Sequence, residues 1–197
     1  MKLWIYIVLI LLLPAAYGHA PIAHRVAKIR PTVVREVRYY WGIRESASTF
    51  MGQIHQESAF RKDAKSKFAS GLTQFTPSTA EWIQGLYAAE LRELCPDRSG
   101  CPLDAQWAVR SMVLYDRRLW NGYSFAESDD RWGFTLAAYN GGAGWIKKER
   151  ELAHLKKLDP NKWFHGVETV CRRASWACLE NRHYPRAILF KWRPLYR

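Results

Sequence analysis

From Val33 to Trp192 the apolar residues recur at intervals of three and four, and this repeat most constrains the fold of the 197-residue chain. Such spacing lines one face of a helix, whereas a half-buried strand alternates every second residue. Val33, Val34, Val37 and Tyr40 make the first helical face, within a basic segment from Pro21 to Arg44. Ser46 to Glu57 reads as a second helix, with Phe50, Met51 and Ile54 inward. Pro77 and Ser78 start a helix carrying Trp82, Ile83, Leu86, Ala89 and Leu94. Asp104 caps another, with Trp107, Val109, Met112, Val113, Tyr115 and Leu119 as its apolar surface. Trp132 to Tyr139 is strongly apolar and stops at Asn140-Gly141-Gly142. Trp145 to Leu158 is basic and amphipathic, and Tyr184 to Trp192 is the last helix. Lys62 to Gly71 has no clean period and reads as a loop or small hairpin. No internal repeat and no linker interrupts this pattern, so the expectation is one mostly helical domain over residues 21–197. With 48% hydrophobic residues, 12 Gly and 9 Pro, the chain is neither disordered nor collagen-like.

The N-terminus carries an address. Lys2 precedes an unbroken apolar run from Leu3 to Ala16, followed by Tyr17, Gly18, His19 and Ala20. A basic start, a short apolar run and small residues near a cut site make residues 1–20 a secretory signal peptide, or an uncleaved anchor. The run falls short of the ~18 apolar residues of a membrane span. Both readings export the rest of the chain to the periplasm, cell wall or exterior. The four cysteines agree. Their spacings lack the short C-x₂₋₄-C form of common zinc sites, and an oxidising compartment favours disulfides. Three pairings are open. Cys95–Cys101 and Cys171–Cys178 are favoured, because each pair brackets a short loop.

The formal charge is +12, which implies an acidic partner. Export argues against nucleic acid. The charge is uneven: +5 over residues 21–44, −2 over 45–144 and +8 over 145–197. The expectation is that the basic flanks hold an anionic wall polymer or membrane surface, leaving the middle for chemistry.

That middle has no HExxH, no Gly-rich phosphate loop and no GxSxG, and its histidines sit in no metal-ligand spacing. His55 reads as a packed or surface residue. What remains is Gln56-Glu57-Ser58-Ala59-Phe60, then Ser66, then Gly71-Leu72-Thr73-Gln74-Phe75-Thr76-Pro77-Ser78-Thr79-Ala80. Later come Ala137-Ala138-Tyr139-Asn140-Gly141-Gly142 and Glu180-Asn181-Arg182-His183-Tyr184. Taken together and in this order, these blocks resemble the catalytic domain of the soluble lytic transglycosylases, which is similar in fold to goose-type lysozymes. The resemblance implies a mainly α fold (α+β, lysozyme-like), a single helical catalytic domain with a small hairpin or loop region. It implies cleavage of peptidoglycan glycan strands by a monomer without metal or cofactor.

By the same resemblance, Glu57 is the catalytic acid/base. Ser66, Gln74, Tyr139 and Asn140 contact substrate, and Tyr184 approaches the catalytic carboxyl from the C-terminal helix. Thr73 stands where the family has Met, which would reshape contact with the sugar. Asn181 replaces a Thr.

The residue types suit the chemistry. Glycoside cleavage needs a carboxylic acid to protonate the leaving oxygen. A partly dry helix end would keep Glu57 protonated near neutral pH. The turns at Gly71 and Gly141-Gly142 would let backbone approach a polymer. For a second carboxylate, Asp63, Asp104, Asp116, Asp129 and Asp130 fall in no motif and read as helix caps or solvated charges. Tryptophans at helical spacing read as core. The resemblance implies a single-carboxylate route: Glu57 protonates the bond between N-acetylmuramate and N-acetylglucosamine, then takes a proton from the muramoyl O6, which closes a 1,6-anhydro ring. Spacing alone would permit hydrolysis, as in a goose-type lysozyme; a non-catalytic wall-binding component of a phage or secretion apparatus is the other alternative, and the intact Glu57 argues against it.

Overall fold

A computed structural model describes residues 21–197, so the signal-peptide reading of residues 1–20 lies outside the described residues. The chain is mainly α, and its only β pairing among the described residues is two isolated bridges, Lys65 with Ser70 and Ser70 with Phe75. The loop-or-hairpin expectation for this stretch therefore holds. The helices are α1 (Ile22–Trp41), α2 (Ser48–Ser58), α3 (Pro77–Leu86), α4 (Ala88–Leu91), α5 (Ala105–Gly122), α6 (Ser128–Gly141), α7 (Ala143–Leu155) and α8 (Ser175–Arg186). A π-helical turn (Ala187–Trp192) and a 3₁₀ turn (Arg193–Tyr196) follow α8.

The fold is organised around α2. Every residue from Ser48 to Ile54 is buried, so this helix has no solvent face over most of its length. The turns of residues 187–196 lie against it. A Cβ on Gly52 would sit 3.0 Å from the Arg193 nitrogen, so a side chain at position 52 would press on the C-terminal backbone packed there. Trp41 stacks on Trp132 at 5.2 Å between centroids and meets Phe50 edge-on at 5.1 Å, which locks α1, α2 and α6 together. Buried Glu36 of α1 accepts from Arg110 of α5 at 2.8 Å, and an unpaired charge there would be costly.

Three helix boundaries differ from the periodicity. The helix begun at Pro77 breaks at Tyr87 (φ −118°, ψ 38°) and restarts as the single turn α4, leaving Leu94 outside. Arg110 donates to the carbonyl of Glu90 at 2.9 Å, and the tether of Cys95 to Cys101 follows directly. α7 ends at Leu155 rather than Leu158, with Lys157 in the left-handed region at φ +58°. The last helix starts earlier than expected, at Ser175, and contains Pro185. A proline has no N–H to donate, and the chain widens into the π turn just after it.

Asp104 caps α5 as expected, accepting from the Trp107 N–H at 2.8 Å. Both disulfides form as favoured, Cys95–Cys101 and Cys171–Cys178. Trp107 and Trp132 are core residues, whereas Trp82 and Trp145 are exposed.

Candidate active site

Glu57 stands one residue from the end of α2. The helix stops because Ala59 and Phe60 both take positive φ, at 49° and 61°. This is costly for residues with a Cβ, and it turns the chain away from the helix axis. The flanking side chains are fixed from the C-terminal turns. Trp192 donates to Gln56 at 2.7 Å, and His55 lies 2.7 Å from the Tyr196 hydroxyl under the Trp192 ring. His55 is thus a packed residue, as its isolation in the sequence suggests.

The Glu57 carboxyl opens on a cleft of about 430 Å³. Ser66, Gln74, Tyr139 and Asn140 line the same cleft, so the structure gathers these four predicted site residues around Glu57. A larger hollow of about 640 Å³ between Tyr87, Arg117, Arg118 and Tyr123 contains no carboxyl.

Each of the four has its own support. The Ser66 hydroxyl accepts from the Ala69 N–H at 3.0 Å and so closes its loop. Gln74, in the left-handed region at φ 49°, donates to the carbonyls of Gly71 at 2.9 Å and Ala64 at 3.3 Å. Tyr139 donates to the Thr73 carbonyl at 2.9 Å, tying the end of α6 to this loop. Asn140 accepts from Asn181 at 3.0 Å and donates to Glu180 at 3.4 Å.

Tyr184 is placed differently from the other site residues. It is buried, does not line the cleft, and donates its hydroxyl proton to Glu57 from behind. Its contact is with the carboxyl rather than with a bound polymer.

The electrostatics follow from this geometry. Burial pushes the Glu57 pKa up to about 8; the Tyr184 hydrogen bond pulls it down and the charge of Glu180 raises it further. The carbonyl end of α2 also disfavours a carboxylate there. Burial likewise raises Tyr139 and Tyr184 well above the usual tyrosine range, so both remain neutral donors.

Three expectations need correction. Thr73 is fully buried, so it offers its side chain to no sugar; its carbonyl serves Tyr139 instead. Gly71 and Gly141 admit protein rather than polymer. A Cβ on Gly71 (φ +81°) would lie 1.7 Å from the Pro102 carbonyl oxygen. One on Gly141 would lie 2.4 Å from an Arg173 nitrogen. Finally, Asp116 is neither a cap nor a solvated charge: it is fully buried in α5, facing the buried amide of Gln53. Burial holds its carboxyl well above the usual range, Gln53 draws it down and the Glu57 charge raises it. The signal was present in the sequence, because Asp116 falls three, four and seven residues after Val113, Met112 and Val109.

The other aspartates are structural or solvated. Asp129 pairs with Arg193 at 2.8 Å, Asp130 accepts from the Trp163 and Phe164 N–H groups, and Asp63 is exposed. The sequence reading also missed Glu180 as a second carboxyl in the cleft, together with Phe68, Thr76, Thr79 and Tyr115. Glu180 lay in a recognised block, four residues before Tyr184, so one helical turn put it near the site.

Comparison with known proteins converges on this region. Residues 41–95 match the family described as Transglycosylase SLT domain. The membrane-bound lytic murein transglycosylase F of Ectopseudomonas mendocina is 33% identical over 121 residues, 61% of this chain and 22% of that protein. The protein of the same name from Stutzerimonas stutzeri is 54% identical over 46 residues, 23% of this chain and 10% of its own length. A Pseudomonas putida counterpart is 45% identical over 51 residues, again 10% of its length. The chain thus spans at most 22% of the length of these relatives.

Proposed function

We propose, from the premise that the chain carries a lytic transglycosylase catalytic domain, that it cleaves the β-1,4 bond between N-acetylmuramate and N-acetylglucosamine in peptidoglycan. The observation that carries this reading is the Glu57 carboxyl. It faces the cleft, Tyr184 holds it from behind, and burial pushes its pKa to about 8. Such a group is protonated at neutral pH and can give a proton to the glycosidic oxygen. The substrate acetamido oxygen supports the developing cation. Glu57, now a carboxylate, takes the O6 proton as O6 attacks C1. One bond breaks, one forms, and the proton cycles through a single residue. Ser66, Gln74, Tyr139 and Asn140 position the strand.

Hydrolysis of the same bond is the second reading, and Glu180 is the observation that favours it. It is a second carboxylate in the cleft, within hydrogen-bond reach of Asn140 at 3.4 Å, and a base for water needs such a group. Mass spectrometry of fragments released from purified peptidoglycan separates the two. The anhydro product is lighter than the hydrolytic one by one water. Wild-type release of anhydro fragments, with none from Glu57→Gln, supports the proposal; equal release by both proteins overturns it.

The setting is an exported protein acting as a monomer, consistent with two disulfides. The first twenty residues serve as signal or anchor. No helix among the described residues is long and apolar enough to cross a membrane. The basic flanks, with Lys147, Lys148, Lys156 and Lys157 exposed on and just after α7, bind the anionic wall or membrane surface.

A further inference from the structure

Beside the cleft, three segments meet in a buried polar chain. Arg173 lies in the loop closed by Cys171–Cys178. Its guanidinium grips Glu149 of α7 through two bonds of 3.0 Å and also donates to the Asn181 side-chain oxygen at 2.9 Å. The Asn181 amide then donates to the Ala137 carbonyl at 2.8 Å and to the Asn140 side-chain oxygen at 3.0 Å. Each link fixes the next. The guanidinium orients the Asn181 amide, and the amide orients Asn140 so that its own NH₂ faces Glu180.

Two further observations mark this chain as built around the cleft. The Arg173 and Glu149 side chains are only 8% and 3% exposed. A buried ion pair seldom adds stability beyond what apolar residues of equal volume supply. Helix α6 also ends on Gly141, where a Cβ would meet both the guanidinium (2.4 Å) and the Asn181 amide (2.6 Å). The end of the helix that presents Tyr139 and Asn140 is shaped to admit the Arg173–Asn181 pair.

We propose that Arg173, clamped by the Cys171–Cys178 loop and by Glu149, is a positioning residue that acts through Asn181 to set the orientation of Asn140 toward the bound glycan. This rests on the function proposed above. Arg173 does not line the cleft, so its effect passes through Asn140, which does. Loss of Arg173 frees the Asn181 side-chain amide to rotate, and Asn140 loses its fixed donor. Opening the disulfide loosens the same loop and acts on the same link.

The test is a double-mutant cycle on soluble, uncrosslinked glycan strands, with initial rates split into kcat and KM. Arg173→Met is expected to raise KM about tenfold with a smaller change in kcat, because a misplaced contact group weakens strand binding. Arg173→Lys restores only part, since an ammonium cannot hold Glu149 and Asn181 in one plane. In an Asn140→Ala background, Arg173→Met is expected to change nothing further. Asn181→Ala, which leaves the Arg173–Glu149 pair in place, repeats the cycle should Arg173→Met fail to fold. The paired Cys171→Ser, Cys178→Ser variant is expected to raise KM in the wild-type background only. Fold-changes that multiply in the Asn140→Ala background overturn the inference while leaving the function standing. A wild-type protein that neither binds nor cleaves the strands overturns the function and this inference with it.

Discussion

Glu57 and Asp116 are two carboxyls in one molecule, each raised by burial and close enough for the charge of one to bear on the other. Their surroundings differ in two respects. Glu57 opens on the cleft and has the Tyr184 hydroxyl behind it. Asp116 is sealed in the core, where the buried amide of Gln53 is the one group that draws its carboxyl down. Desolvation alone therefore makes a neutral acid. Access to substrate, and a donor that fixes the carboxyl, make it a usable one.

The sharpest break of this comparison is Glu57→Gln. It removes the proton donor and is expected to lower glycan cleavage by at least about a thousandfold, measured as fragment release. Tyr184→Phe comes next, with a loss of about tenfold to a hundredfold. The Tyr184 hydrogen bond lowers the Glu57 pKa, so its removal should move the alkaline limb of the pH–rate profile upward from about 8. An unmoved limb would show that this limb does not report Glu57. In the wild type, activity should fall as pH rises through about 8, because only protonated Glu57 donates.

Stability tests the same pair without substrate. Glu57 has a folded pKa of about 8 against an ordinary value of 4.5, so the folded state binds the extra proton and stability falls as pH rises between them. Glu57→Gln removes this loss. It should stabilise the protein at pH 7 by up to about 3 kcal/mol, with little gain at pH 4, as read from denaturant unfolding. Asp116→Asn should act in the same direction while leaving cleavage within about threefold of wild type. If it abolishes cleavage with the fold intact, the distinction between the two carboxyls fails. The smallest effect is expected from neutralising Lys147, Lys148, Lys156 and Lys157. Sedimentation with intact walls should weaken in a salt-dependent way while cleavage of soluble strands is unchanged.

The same pair shows what was legible in the sequence. Glu57 was found through the blocks around it, and Asp104 through the chemistry of a helix N-terminus. Asp116 lies on the apolar stripe of its own helix, so its position puts it in the core although its residue type points to solvent. The Thr73 error has another cause. Of these neighbours in sequence on the loop, Thr73 is buried while Gln74, at positive φ, lines the cleft, and no period announces that. Arg173 and Glu149 lie 24 residues apart and belong to no repeat, so only the packed chain brings them together.

The C-terminal wrap around α2 has a consequence for the order of events in synthesis. Glu57 and its donor Tyr184 are 127 residues apart, and Gln56 and His55 are held by Trp192 and Tyr196. A nascent chain that has reached α6 already holds Glu57 and most of the cleft wall, yet lacks the hydroxyl behind the acid and the cover over its helix. On the proposed mechanism, a partly made or truncated chain is therefore an unarmed one. The site becomes competent only once the segment that completes it has been synthesised and docked.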